Sequence, residues 1–579
     1  MVDNNQLKAI KSDSGPALIL AGPGSGKTTV LTHHIKYLID NGVPPDRILV
    51  ITFTRKAALE MRSRFETLSP TAVHQTVFGT FHSVFFKILK SFDKTEKRLV
   101  KSEERENFLL TIAGDCATSE YFGNHISFYK SLYDKTEYRF VNDKERDEFM
   151  KVYDEYNKWL YSEGCIDYDD IIEECYELLK TNKKAVNYLN NKFSHILVDE
   201  FQDINSIQYE TLKLLAGSKG IVYTVGDEDQ SIYGFRGASP DIMKRFLNDY
   251  KNATVINLNR NYRSFQDISD FSQGIIEKNP GRLRAEIPSC SKYDENSHVH
   301  LKVFKDRSEE LAEFMNDCQT ICSGKSAACL VRTNKEVFEY KKLFGADPSD
   351  ADGIKEDVIC DYISFTDYVT QRDVKSLKRI IALSVKGIPT SMLSDCESMD
   401  LIKKKLRGTR KGDEISVFET KLNVLTGLNP FSFAMYLKNI IGLYELHKER
   451  SGLIGMCALN DIYEELTELS KYCKDLREFK EALMAIMPKK FKTEKSENNI
   501  TVTTFHQAKG LEYDYVFIPD AIEGKIPAGM SVAECRVEEE RRLFYVALTR
   551  AKEELFVYTI KNEESGGALP SRFLDGLIY

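Results

Sequence analysis

The sequence predicts an α/β protein built on parallel strands and interrupted by helical insertions. Three observations carry this reading. An apolar run, Pro16 to Leu20, meets a glycine-rich loop and then a helical pattern (Val30, Leu31, Ile35, Leu38, Ile39). A second run of strand length, Phe193 to Val198, stops at two adjacent acids, Asp199 and Glu200. Two long stretches, residues 89–165 and 381–497, are helical in pattern and carry no phosphate motif.

At 579 residues the chain is too long for one core and should hold several domains. Its 42% hydrophobic and 29% charged residues are those of an ordinary soluble protein, and no apolar run approaches the ~20 residues of a membrane span. The segment from Met1 to Gln6 has no basic region leading into an apolar one, so no secretory signal is expected and a cytoplasmic location is. The twelve cysteines are scattered. Cys318, Cys322 and Cys329 come nearest to a ligand spacing but lack a second pair, which predicts reduced thiols rather than a metal site. A net charge of −8 gives no global basic field, so any nucleic-acid contact must come from a local groove.

In chain order, residues 1–15 are polar, and Gln6 taken alone reads as a surface residue. The loop that follows holds Gly22, Gly24, Ser25 and Gly26 and leads into Lys27, Thr28 and Thr29, with Ala21 where the general pattern has glycine. Strand, loop and helix together form a phosphate-binding loop for a nucleoside triphosphate. Glycines let backbone amides converge on phosphate oxygens, and the helix N-terminus adds partial positive charge. Lys27 would reach the β- and γ-phosphates, and the Thr28 hydroxyl would hold Mg²⁺. Residues 47–61 read as a buried strand and a helix capped by Thr54, with Phe53 at the junction either core or a platform for a base.

The 89–165 stretch is charged and aromatic, an inserted helical subdomain, and Asp167 to Asp170 closes it as a helix cap with a solvated charge run. At the end of the next strand Asp199 would hold Mg²⁺ through water, and Glu200 would polarise the attacking water. A third strand, Ile221 to Val225, leads to Gln230, placed to sense phosphate, and to Tyr233, Phe235 and Arg236. Aromatics interleaved with arginine suit single-stranded nucleic acid, where each base–ring stack contributes roughly 1–3 kcal/mol. Val255 opens a further α/β segment with strand-like runs at His300–Phe304 and Ala327–Val331. Helical runs follow at Leu401–Leu406, Phe433–His447 and Ile462–Leu483, and Pro488–Glu497 reads as a linker. Two β-rich runs around a glycine-containing loop, Ile500–Thr504 and Tyr513–Ile518, suggest strands of one sheet. Glu538 to Ala551 is an amphipathic helix ending in Arg550, a solvated charge unless a second domain brings it to the nucleotide.

Eight of these stretches, in this order, resemble the UvrD/Rep-like helicases of superfamily 1: Ala21–Thr28, Thr52–Met61, Gly79–Ser83, Asp199–Asp203, Gly226–Ala238, Asn259–Ser264, Thr503–Tyr513 and Glu539–Ala551. The tail Pro570–Leu574 is similar to the family's ending. The resemblance implies two RecA-like P-loop NTPase domains with parallel sheets, each carrying a mainly helical insertion, and ATP in the cleft between them. The first would take residues 1–88 and 166–255, with 89–165 inserted. The second would take 256–380 and 498–579, with 381–497 inserted.

By the same resemblance Gln6 and Tyr262 contact adenine, Glu512 the ribose, and Gln230, Arg263 and Arg550 the γ-phosphate. Ser25 and Thr29 belong with the loop around the nucleotide. Phe53, Thr80, His82, Tyr233, Phe235, Arg236 and His506 form the DNA-contacting set. The implied activity is ATP-dependent 3′→5′ movement on single-stranded DNA and unwinding of 3′-tailed duplexes, with ATP and Mg²⁺. Some positions depart from the family. Arg55 stands for the usual Asn, Phe235 for the usual Trp, and His34 for an Arg that helps grip the nucleotide. The short second insertion favours an alternative, a DNA-stimulated motor that unwinds poorly without a protein partner, which residues 381–497 would bind.

Overall fold

The computed structural model describes residues 2–92, 97–113, 116–284, 289–294, 296–319, 321, 324–344, 349–385, 388, 390–393, 396–487, 500–529, 531, 536–562 and 567–577. The expected linker Pro488–Glu497 and Cys322 lie outside the described residues. The chain forms two compact units, Met1–Arg332 with Thr503–Tyr579, and Thr333–Val502. Parallel sheets flanked by helices make this an α/β fold of two RecA-like domains, each with its own sheet.

The first sheet contains β1 (Ala17–Ala21), β2 (Ile48–Thr52), β3 (Val77–Thr80), β4 (His195–Val198), β5 (Ile221–Gly226) and β6 (Thr254–Leu258). All are parallel, in the order β3-β2-β4-β5-β1-β6. The inner strands β1, β2, β4 and β5 are mostly apolar and buried because both faces are covered, while the edge strands β3 and β6 are partly exposed. Alternate residues enter opposite layers: Leu18, Leu20, Leu49, Ile51, Ile196 and Val198 pack into one, and Ala17, Ile19, Ile48, Val50 and Leu197 into the other. β6 departs from expectation. Rather than opening the second segment, it pairs with β1 from Ala17↔Thr254 to Ala21↔Leu258 and completes the first sheet. The carboxyl ends of β1, β4 and β5 therefore emerge side by side, the usual place for a ligand in such sheets.

Three helices frame that edge or its surroundings: α1 (Asn4–Ile10), α2 (Lys27–Asp40) and α3 (Arg55–Leu68). Thr54 caps α3 by accepting from the Ala57 amide at 3.1 Å, as its position predicts. A parallel pair, β7 (Arg260–Phe265) and β8 (Ser289–Lys292), leads to the second sheet. That sheet holds β9 (Val299–Phe304), β10 (Ala327–Val331), β11 (Ile500–Thr504), β12 (Tyr513–Ile518) and β13 (Ala551–Ile560), in the order β9-β13-β12-β10-β11. The two expected strands are thus in one sheet, separated by β10. The helix Val537–Leu548 packs its Leu543, Phe544 and Val546 against this sheet's Leu330, Val516 and Leu555.

Within the first unit, helices Ser102–Ala113, Cys116–Ser131 and Asp143–Ser162 bury Phe122, Ile126, Phe149, Tyr156 and Leu160 together. Asp167 does cap the helix Tyr168–Thr181, in a reciprocal capping box with Asp170. The solvated charge run, however, is corrected. Lys130, wholly buried, pairs with Asp167 at 2.8 Å and Asp170 at 2.6 Å, and Tyr156 donates to Asp167 at 3.0 Å. A buried charge is tolerated only when paired in this way.

The second unit is helical where it is described. Ser349–Gln371, Val374–Ser384, Arg410–Val424, Leu443–Lys471 and Leu476–Ala485 enclose Ile359, Phe365, Ile381, Phe433 and Leu466. The run read as one helix over Phe433–His447 is broken at Gly442, whose φ of +83° is a left-handed conformation that favours glycine. The run Ile462–Leu483 likewise covers parts of two helices. Among the described residues no helix is long and apolar enough to cross a membrane.

Candidate functional site

The loop after β1 has Gly24 at φ +68° and Gly26 at φ +84°, both closed to most side chains. Gly26 also ends against Gln6, since a Cβ there would stand 2.7 Å from Gln6 Nε2. Gln6 is 5% exposed, so its reading as a surface residue is corrected: Nε2 donates to the Ser25 carbonyl at 2.9 Å, and Oε1 accepts from the Asp3 amide at 3.1 Å. Ser25 Oγ donates to the Gly22 carbonyl at 2.8 Å, closing the loop on itself. Lys27, Thr28 and Thr29 form the first turn of α2, half-buried beside the loop. His34 does not face the loop. It is 1% exposed, stacks on Tyr223 at 4.0 Å and sits 2.7 Å from the Ile10 carbonyl oxygen, so it is a core residue.

β4 delivers Asp199 and Glu200. Lys27 Nζ lies 3.6 Å from Glu200 Oε2. Burial, then the neighbouring Glu200 charge, push Asp199 up to about 7, and its Oδ1 is buried with no hydrogen-bond partner. Burial pushes Glu200 upward too, but the charges of Lys27 and Lys509 outweigh it and bring Glu200 down to about 2. The two neighbouring acids are thus shifted in opposite directions, Asp199 up by burial beside another acid and Glu200 down by two lysines. Glu200 has φ +50° and ψ +47°, a left-handed conformation costing about 1–2 kcal/mol for a residue with a Cβ. Gln202, fully buried, holds it by donating Nε2 to Glu200 Oε2 at 2.5 Å, and accepts from the Asp227 amide at 3.0 Å.

Gln230 joins the end of β5 to the second sheet. Its Nε2 donates to Asp227 Oδ2 at 2.6 Å, and its Oε1 accepts from Arg550 Nη2 at 3.3 Å. Arg550 is 2% exposed, not a solvated charge, and burial followed by the Arg263 charge brings it down to about 9. β7 crosses the loop directly: the Tyr262 amide donates to the Gly24 carbonyl at 2.9 Å, and a Cβ on Gly24 would stand 2.2 Å from Asn261 Oδ1 and 2.6 Å from Arg263 Cβ. Tyr262 Oη donates to Asp3 Oδ2 at 2.6 Å, which brings Tyr262 and Gln6 together on the cap of α1. Arg263 donates Nε to Glu512 Oε2 at 2.9 Å and Nη1 to the Thr549 carbonyl at 3.1 Å, so these two expected nucleotide contacts bind each other.

Behind this site lies an aromatic face. Phe53 stacks on Tyr233 at 4.8 Å, Tyr233 meets Phe235 at 6.0 Å, and Phe235 meets His506 edge-on at 5.9 Å. Arg236 lies over Tyr233 and Phe235, 5.9 Å and 5.5 Å from their centroids. A cavity of about 460 Å³ opens beside it, lined in part by Phe53, His82, Tyr168, Phe235 and Arg236. Burial, then Arg236, depress the His82 pKa. Burial, then Arg332, bring His506 down to about 4, so both rings are neutral near pH 7. Thr80 is engaged instead with Ser83, accepting its amide at 3.2 Å and donating its own to Ser83 Oγ at 2.9 Å.

Two family models match: the UvrD/REP helicase N-terminal domain over residues 2–251, and the UvrD-like helicase C-terminal domain over residues 437–562. YjcD of Bacillus subtilis is 30% identical, the alignment covering all of this chain and 81% of that protein. The chain belongs to the UvrD/Rep helicase family. DNA helicase II of Escherichia coli is 28% identical, covering 100% of this chain and 87% of its own length. The ATP-dependent DNA helicase PcrA of Staphylococcus aureus (strain MRSA252) is 29% identical, covering 99% and 86%.

Within this UvrD/Rep-type site the sequence reading missed several members. Lys509 pairs with Asp203 at 2.5 Å, donates to the Gln230 carbonyl at 2.6 Å and lies over the Tyr233 ring at 5.1 Å. Burial pushes Asp203 up to about 6 against the pull of Lys509. Both residues fall inside stretches that carry the resemblance, and that was their only signal. Tyr545 had the same signal, inside Glu539–Ala551, whereas Arg282 and Arg284 had none.

Proposed function

We propose that this chain is an ATP-dependent DNA helicase of the UvrD/Rep type that moves 3′→5′ on single-stranded DNA and hydrolyses ATP between its two RecA-like domains. The observation that carries the reading is Gln230, bound on one side to Asp227 at the end of β5 and on the other to Arg550. One amide thus spans the two sheets at the phosphate loop. The proposed first domain is residues 1–88 with 166–258, which keeps β6 in its sheet, and the second is 259–332 with 500–579, with 89–165 and 333–499 inserted.

The residues present fit a divalent cation. Asp199 Oδ1 is buried without a partner, and Thr28, a hydroxyl-bearing residue, stands on the first turn of α2. Thr28 and Asp199 would hold Mg²⁺, which when bound neutralises charge on the β- and γ-phosphates. Gln6 and Tyr262 would seat adenine, and Glu512 the ribose. The backbone amides of Gly22, Gly24, Ser25 and Gly26 and the Lys27 ammonium would cradle the phosphates. Glu200, ionised at neutral pH, takes a proton from water as the water oxygen bonds to the γ-phosphorus and the bond to the β-phosphate oxygen breaks, leaving ADP and phosphate. Arg263 and Arg550 stabilise the charge on the transferring group, a contribution on the order of 10³–10⁵ in rate.

Phe53, Tyr233, Phe235 and His506 would stack on bases, and Lys509 would report their occupancy to Asp203 and Gln230. The test is ATPase rate with and without single-stranded DNA, alongside unwinding of a 3′-tailed and a 5′-tailed duplex. Strong stimulation with unwinding of the 3′-tailed substrate alone is expected. Stimulation without unwinding would assign a motor that depends on a partner, and no stimulation would overturn the aromatic face as a DNA site.

A further inference from the structure

Arg284 is 3% exposed and stands at the phosphate loop. Its backbone amide donates to Glu228 Oε1 at 2.7 Å. Its Nη2 donates to Asp229 Oδ2 at 3.2 Å and to Tyr545 Oη at 3.0 Å, and lies 3.8 Å from Asp227 Oδ1. Arg282 shares Asp229 through two bonds, at 2.8 Å and 2.6 Å. One nitrogen of the Arg284 guanidinium is therefore fixed by acids and a phenol. Nη1 and Nε are buried and have no hydrogen-bond partner. Nη1 presses on the loop: a Cβ built on Gly22 would stand 1.7 Å from it and 2.9 Å from Cζ.

Buried donors are nearly always satisfied, and an orphan in a cleft is often a group awaiting a ligand. A guanidinium is the side chain best matched to phosphate oxygens. Asp227 adds direction. It faces Arg284 through Oδ1, while its Oδ2 accepts from Gln230 Nε2 at 2.6 Å, and Gln230 in turn binds Arg550. A charge arriving at Arg284 would thus be felt along the chain Asp227, Gln230 and Arg550.

We propose that Arg284 is a third arginine of the nucleotide site, whose Nη1 binds the terminal phosphate of a nucleoside triphosphate on the Gly22–Lys27 loop. It lets the protein tell triphosphate from diphosphate. This rests on the ATP site proposed above.

The test is titration of fluorescent ADP and of a fluorescent non-hydrolysable ATP analogue into wild type, Arg284→Ala, Arg284→Lys and Lys27→Ala. Arg284→Ala is expected to weaken the ATP analogue tenfold or more and ADP less than twofold, narrowing the preference for triphosphate at least fivefold. Arg284→Lys, which keeps the charge without the planar fork, should keep part of that preference, and it carries the test if Arg284→Ala does not fold. Equal losses for both nucleotides, or no loss for either, would make Arg284 a packing residue and overturn the proposal. Lys27→Ala separates the two readings: if it binds both nucleotides as wild type does, the ATP site itself is misplaced, whatever Arg284 does.

Discussion

Lys509 Nζ lies 2.5 Å from Asp203 Oδ2 and 5.1 Å from the centroid of the Tyr233 ring. One ammonium therefore touches both the acid just past Asp199 and Glu200 and an aromatic that stacks on Phe53. The pair is buried, with the side chains 8% and 0% exposed. Removing one partner of a buried pair costs roughly 3–5 kcal/mol, because the other is left uncompensated. Lys509→Ala should show that loss in urea unfolding, and a double change with Asp203→Asn should recover more than half of it. In the single variant DNA should no longer raise ATP hydrolysis, although basal hydrolysis persists. A double variant no more stable than the single one would mean that the pairing is not what holds Lys509 in place.

Glu200 combines a strained backbone with a carboxylate that the Lys27 and Lys509 charges keep ionised at neutral pH, so it is free to accept a proton. Glu200→Gln should keep ATP binding and lose turnover by about 10²–10⁴, the usual contribution of a positioned base. Lys27→Ala should lose turnover as well. Phosphate release under saturating ATP and single-stranded DNA measures both, and DNA-stimulated hydrolysis surviving in either variant would remove these residues from the catalytic role.

Phe235 is 45% exposed, a large ring left open between His506 and Arg236. Phe235→Ala should weaken single-stranded DNA by roughly 1–3 kcal/mol, about 5- to 150-fold, at fixed salt. Phe235→Trp should bind at least as tightly as wild type. ATP hydrolysis without DNA should change less than twofold in both. Fluorescence anisotropy with a labelled oligonucleotide reads the difference, and unchanged affinity in the alanine variant would take Phe235 out of the DNA face.

What was legible in the sequence shares a physical feature: the signal is local. The phosphate loop needs only a strand, three glycines and a helix start in register. The β1 and β4 strands declare themselves by unbroken apolar runs, because both faces of the sheet are covered. What was not legible depends on partners far along the chain. Gln6 looks like a surface amide until Ser25 and Asp3 enclose it. Asp167 looks solvated until Lys130, from another helix, is buried against it. Arg550 is an ordinary charge until Gln230 reaches it across 320 positions. β6 carries the apolar pattern of any strand, and its pairing with β1 is a matter of topology. Arg284 sits in no motif and gains its meaning only from Gly22 and Asp227.

His34 offers a test of the core rather than of the chemistry. It is 1% exposed and stacked on Tyr223, and as the neutral tautomer it donates from Nδ1 to the Ile10 carbonyl at 2.7 Å. Burial, only partly opposed by that hydrogen bond, brings its pKa down from 6.5 to about 4. Between those two values the unfolded chain takes up a proton that the folded chain refuses, so stability is lost as pH falls through the window and is fully present above it. One proton across this interval contributes about 3 kcal/mol. His34→Phe removes the titration but leaves the Ile10 carbonyl without its donor, which costs about 1–3 kcal/mol at neutral pH. Urea unfolding at pH 7.5, 5.5 and 4.5 should therefore find the variant less stable at pH 7.5 and the gap narrowing as pH falls, through closure toward pH 4.5. Parallel losses in both proteins would mean that His34 titrates normally in the fold and is not sealed between α1 and β5.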